Sequence, residues 1–140
     1  MASTPPEVVA RHQQIQAEAP GDYWIGRRVA SQRTRYWGYI RRPRQLWENA
    51  QLVVFNERQK LAPDRYSEIP TGAKYFQYDN NREYRLKGYL TGRQVYDPNS
   101  DKILPEFMLQ GYEETNTSPG FLFHPREKKD VYGIPVPPKR

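Results

Sequence analysis

The chain has no cysteine, which excludes disulfides, thiol nucleophiles and Cys-based zinc sites, and with them any sign of the redox compartment. No run of eighteen or more apolar residues occurs, so no membrane-spanning helix is expected. The start Met1-Ala2-Ser3-Thr4-Pro5-Pro6 lacks the basic and apolar regions of an export signal. A removed signal would leave no trace, so no compartment follows. Histidine is scarce: His12 and His124 are the two present, and they stand in no metal-ligand spacing. Nucleophile elbows, phosphate loops and dinucleotide fingerprints are missing too. No catalytic residue, metal site, cofactor or small-molecule substrate is therefore assigned. An acid pair built from Glu83, Glu106 or Glu113 across strands is the one catalytic arrangement left open.

Acids are missing locally as well. Residues 23–47 contain Arg27, Arg28, Arg33, Arg35, Arg41, Arg42 and Arg44 without a single Asp or Glu, inside a chain of net charge +6. All three tryptophans, Trp24, Trp37 and Trp47, lie in the same segment with Tyr23, Tyr36 and Tyr39.

Length and composition indicate one domain. Only 36% of the 140 residues are hydrophobic and mean hydropathy is -1.00, yet 14% are aromatic, including eleven tyrosines. Rings that bury apolar area while keeping a hydroxyl at a wet edge reconcile low hydropathy with a folded core.

Thr4, Pro5, Pro6 and Glu7 form a helix start, and residues 4–18 are expected to be a short helix that must lean on a neighbour. Pro20-Gly21 ends it. Period-two patterns then predict strands at 23–29, 34–41 and 50–56, the last expected to be the most central because Leu52-Val53-Val54-Phe55 is apolar on both faces. Residues 57–82 read as a long irregular loop. Residues 83–96 and 103–112 flank a turn at Asp97-Pro98-Asn99-Ser100-Asp101-Lys102 and predict a hairpin, with Gly88 and Gly92 at bends. Five strands so bent predict a mainly β fold. It is either a small five-stranded barrel of the OB or SH3-like kind or a curved sheet, with a short N-terminal helix and an extended Pro-rich C-terminal tail. The expected organisation is an extension at 1–21, the β domain at 22–115 and the tail at 116–140.

If Tyr36 and Ile40 face inward, alternation places Arg35, Trp37, Tyr39 and Arg41 side by side on the other face, continued by Arg42 and Arg44. Three readings of this stripe compete. Cations and rings pack on one another and under a second layer, they form a protein interface, or they neutralise phosphates and stack on unpaired bases. The partner-binding residues proposed from sequence are these six, and Phe121 and Phe123 are expected to anchor the tail. A non-catalytic protein-interaction or adaptor subunit, self-association included, is the expected function, and a single-stranded nucleic-acid-binding barrel is the alternative.

Three short motifs have plainer readings. Asp97-x-Asn99-x-Asp101 opens like a calcium loop, but Lys102 and Met108 replace its glycine and glutamate, so it reads as a hairpin turn. Pro135-x-x-Pro138-x-Arg140 has the form of a polyproline ligand and is read as a tail lying on its own domain or a neighbour. Asn116-Thr117-Ser118 is a formal glycosylation sequon and is read as a loop.

Overall fold

The computed structural model describes residues 4–30, 36–62, 80–98, 100–130 and 134–137. Arg33, Arg35, Asn99, Pro138, Arg140 and most of the 57–82 loop lie outside the described residues.

Helix α1 (Pro6–Gln16) starts where the prolines and Glu7 place it, although no side chain caps it. Missing proline amides and an acid in the first turn suit a helix N-terminus without a cap. It buries Val8 and Ile15. Strands β1 (Trp24–Arg28), β2 (Gly38–Arg41), β3 (Gln51–Asn56), β4 (Glu83–Asp97) and β5 (Lys102–Asn116) follow, with a single 3₁₀ turn at Trp47–Asn49 ahead of β3. They close into a barrel in the order β1-β2-β3-β5-β4. All pairings are antiparallel except the closing one, in which Val54, Phe55 and Asn56 run parallel to Glu106, Phe107 and Met108. The mainly β, small-barrel fold is thus the observed one.

Two glycines make the closure sterically feasible. At Gly88, with φ +154°, a Cβ would sit 2.0 Å from the Met108 carbonyl oxygen, and the β4–β5 register shifts beside it, between Lys87 and Gly88. At Gly38 a Cβ would fall 2.1 Å from the Arg27 carbonyl oxygen. Only a residue without a side chain lets the strands approach so closely.

The barrel interior is aromatic. Trp37 stacks on Phe55 with ring centres 4.5 Å apart and meets Tyr84 edge-on at 5.7 Å, while Trp24 stands edge-on to Phe107 at 5.7 Å. Ile40, Val53, Leu86 and Leu109 complete this core. A second core lies outside the barrel, where Ile25, Tyr39, Val54 and Trp47 pack with Ile15 of α1 and with Leu122, Phe123 and Ile134 of the C-terminal segment. This layer makes β1 and β2 buried along their whole length, whereas β3 begins at exposed Gln51 and is only half-buried at its far end. The most covered strands are therefore β1 and β2 rather than β3. The terminal segments settle across the former pair.

Candidate functional site

The solvent-facing stripe expected on β2 does not form. Trp37, Tyr39 and Arg41 are 3%, 7% and 2% exposed, and Tyr36 and Ile40 are buried as well. Strand alternation fails at the junction of Trp37 and Gly38. Trp37 enters the barrel interior with Ile40, while Tyr39 joins Tyr36 in the outer core. The outer side of β2 is then closed by the chain's own termini.

The arginines of the segment are used internally. Arg41 binds the Glu18 carboxylate with both terminal nitrogens, at 2.8 and 2.7 Å, and its guanidinium lies 4.4 Å from the centre of Trp47. A bidentate pair with a ring beneath it is a strong use of a guanidinium. Arg27, fully buried, makes no ion pair with a carboxylate among the described residues. It donates to Asn81 Oδ1 at 2.9 Å and to the carbonyl oxygens of Gly120 and Phe121 at 2.8 and 3.3 Å. Desolvation pushes Arg27 down to about 10, opposed by the charge of Glu83. Arg11 of α1 reaches the same stretch, donating to the Pro119 carbonyl at 2.9 Å while its guanidinium lies 4.2 Å from the Phe121 ring centre. Desolvation lowers its pKa too. Arg28, at the end of β1, donates to the Trp37 carbonyl at 2.7 Å.

Arg42 and Arg44 stay nearer the surface, yet both tie down the chain leaving α1. Arg42 lies 3.9 Å from the Trp24 ring centre and pairs with Asp22 at 3.0 Å. Arg44 donates from its amide to Glu18 Oε1 and from Nε to the Glu18 carbonyl, each at 2.9 Å.

Phe121 is half-buried under Arg11, and Phe123 is buried edge-on against Tyr39 with ring centres 5.1 Å apart. Three contacts beyond these rings hold the segment. Leu122 and Ile134 are 2% and 1% exposed, and the Tyr39 hydroxyl donates to the Pro135 carbonyl at 3.0 Å. Burial pushes Tyr39 up to about 12, helped by the charge of Asp130. Glu127 closes the turn by accepting the amides of Leu122 and Phe123. In sequence Leu122 stands between the two phenylalanines and Ile134 in the proline-rich end, and neither was singled out because no periodic pattern marks them.

The other candidates fall into local roles. Glu106 is nearly buried and accepts the Thr91 hydroxyl at 2.9 Å. Glu113 lies seven residues along β5, roughly 23 Å away at strand rise, opposite Arg85, so Glu106 does not converge with it. Asp97 accepts the Ser100 hydroxyl and Asp101 the Tyr96 hydroxyl, each at 2.7 Å, which is turn chemistry. Asn116 Oδ1 accepts the Ser118 amide, and His124 Nδ1 the Arg126 amide.

The open surface lies elsewhere, on the β4–β5 hairpin. Tyr89, Tyr96 and Ile103 are 45%, 50% and 65% exposed, and Tyr96 stands directly opposite Ile103 in the register. Tyr89 lies on the face that alternation gives to Arg85 and Lys87, opposite to that of Tyr84 and Leu86. No helix is long and apolar enough to cross a membrane among the described residues. Comparison with family models, curated proteins and solved structures gives no match for this chain.

Proposed function

We propose that this chain is a non-catalytic structural or protein-interaction subunit that presents its β4–β5 hairpin to a partner. One observation carries the reading. The face rich in Arg, Trp and Tyr is spent on holding the chain's own termini, while the long hairpin keeps large exposed side chains at Tyr89, Tyr96 and Ile103. Exposed aromatic and aliphatic side chains on a rigid two-stranded arm suit a protein contact. Arg42 and Arg44 hold the chain leaving α1 through Asp22 and Glu18 and are not assigned to this contact.

A second reading, a single-stranded nucleic-acid-binding barrel, has its own support. The strand order, with a parallel β3–β5 closure, has the connectivity of OB-type barrels, which favours that type over an SH3-like one. The net charge of +6 is of the right sign. It ranks second because the rings that would stack on bases, Trp37 and Tyr39, are covered.

Affinity purification of the tagged chain under native conditions, followed by identification of bound protein and nucleic acid, tests the choice. Retention of a defined protein partner, with no binding of an oligothymidine at low salt, is the expected result. Oligothymidine binding that weakens steeply with added salt would replace this reading with the second.

A further inference from the structure

A closed barrel has no free edges, yet β4 outruns its neighbour. β1 pairs with β4 only from Trp24 to Arg27, and that register ends at Leu86, while β4 continues to Asp97 alongside β5. The Trp24 indole donates to the Gly88 carbonyl at 3.2 Å and closes the corner. Beyond it, residues 89–95 have no strand on the side away from β5 among the described residues. Tyr89, Arg93 and Gln94 along this stretch are exposed. The Arg93 amide is turned back onto the Thr91 hydroxyl at 3.2 Å, and on either side of it an edge without a neighbouring strand is a template for an added strand.

Charge selects the occupant. Between Glu83 and Asp97, β4 carries Arg85, Lys87 and Arg93 and no acid. Arg85 is engaged by the Tyr23 ring at 3.9 Å and stands opposite Glu113. Lys87 stands opposite Gly111, and Arg93 sits in the irregular stretch between Leu90 and Gln94. Glu106, across from this stretch on β5, accepts the Thr91 hydroxyl. A second copy of this edge would set like charges against each other, which disfavours pairing of the chain with itself. Phosphates would satisfy the cations but could not pair with the backbone of the edge as a strand does.

We infer that residues 89–95 of β4 take an extended acidic segment of a partner protein as an added strand, with Lys87 and Arg93 facing its carboxylates. The bulge and the cations keep this edge from pairing indiscriminately, and the same cations favour an acidic strand. This inference rests on the protein-interaction reading above and names its site.

The test uses the full chain, labelled for NMR, with three probes: a peptide alternating Glu with Val or Thr, its counterpart with Lys in place of Glu, and an oligothymidine. Expected are binding of the Glu peptide alone, slowed hydrogen exchange at amides within 89–95, and about a tenfold loss of affinity in the Lys87→Glu/Arg93→Glu variant. Both positions are exposed, and the variant's unchanged amide spectrum elsewhere certifies its fold. The inference is overturned if no Glu-peptide binding occurs, if binding leaves the 89–95 amides unprotected, or if the oligothymidine displaces the peptide. A natural protein partner retained equally by the variant would sink the β4 site while leaving the protein-interaction reading intact. Loss of any partner from the parent chain would sink that reading itself.

Discussion

The two sides of this barrel use the same residue types for opposite purposes. On the β1–β2 side, Arg27, Arg41, Tyr39 and Trp47 lie beneath α1 and the C-terminal segment, and the cations find carbonyls, a carboxylate and a ring within the chain. On the β4–β5 side, Lys87, Arg93, Tyr89 and Tyr96 stand in water. A cation–aromatic stripe is therefore open to solvent only where nothing in the same chain covers it. A buried guanidinium loses hydration and must recover it from fixed oxygens. Once Pro119, Gly120 and Phe121 supply those oxygens to Arg11 and Arg27, the tail becomes part of the fold.

The sharpest way to break the comparison is to uncover the first side. Deleting residues 117–140 removes Leu122, Phe123 and Ile134 from the outer core and strips two carbonyls from Arg27. The expected outcome is loss of cooperative unfolding, read by urea denaturation, because several buried side chains are each worth about 2–4 kcal/mol. A truncated chain that unfolds at the parent's urea midpoint would show that the tail is a passenger. Phe123→Ala is the milder form, expected to cost about 3 kcal/mol.

Glu18→Gln probes the electrostatic stitch. It leaves Arg41, 2% exposed, without its carboxylate. A loss of about 2 kcal/mol is expected, below the cost for a fully buried pair because Glu18 keeps 21% of its side-chain exposure. Thermal melts of the variant and of Glu18→Asp separate charge from reach.

A pH effect of smaller practical size follows from Tyr39. Its folded pKa, raised to about 12 by burial, exceeds the ordinary value of 10.0. The unfolded chain therefore releases this proton first. The contribution is complete below pH 10.0 and is lost as pH rises toward 12, worth on the order of 2 kcal/mol in full. Arg27 works in the opposite sense over part of this window, since its folded pKa of about 10 lies below the ordinary 12.5. Comparing Tyr39→Phe with the parent across alkaline urea titrations isolates the tyrosine: the stability gap between them should shift in the variant's favour as pH rises. A gap independent of pH would refute the assignment.

The smallest effect belongs to the open side. Ile103→Thr, at a position 65% exposed, should change stability by no more than about 0.5 kcal/mol. A large loss in the same urea assay would mean that the arm is as integral as the tail.

Much of the architecture was legible because it is local. The turn residues 97–102 and the alternation on either side specify a hairpin, the prolines and Glu7 specify a helix start, and Gly88 marks a bend that L side chains could not make. Alternation orders side chains along one strand, and that is all it fixes. It named Trp37 and Tyr39 as neighbours on one face, and a break of phase beside Gly38 sent them to different cores.

The sequence alone determined a five-stranded, strongly bent β fold with an acid-free, arginine-rich segment at 23–47 and ends rich in proline. Which surface remains available was decided by tertiary structure alone. The partners that neutralise or solvate the arginines lie far along the chain, Glu18 at 23 residues from Arg41 and Gly120 at 93 from Arg27. Spacing in sequence carries no information about contacts at such separation. Only closure of the barrel, and the packing of α1 and the C-terminal segment against β1 and β2, brings those oxygens to the guanidiniums and, among the described residues, leaves the far part of β4 without a second neighbouring strand.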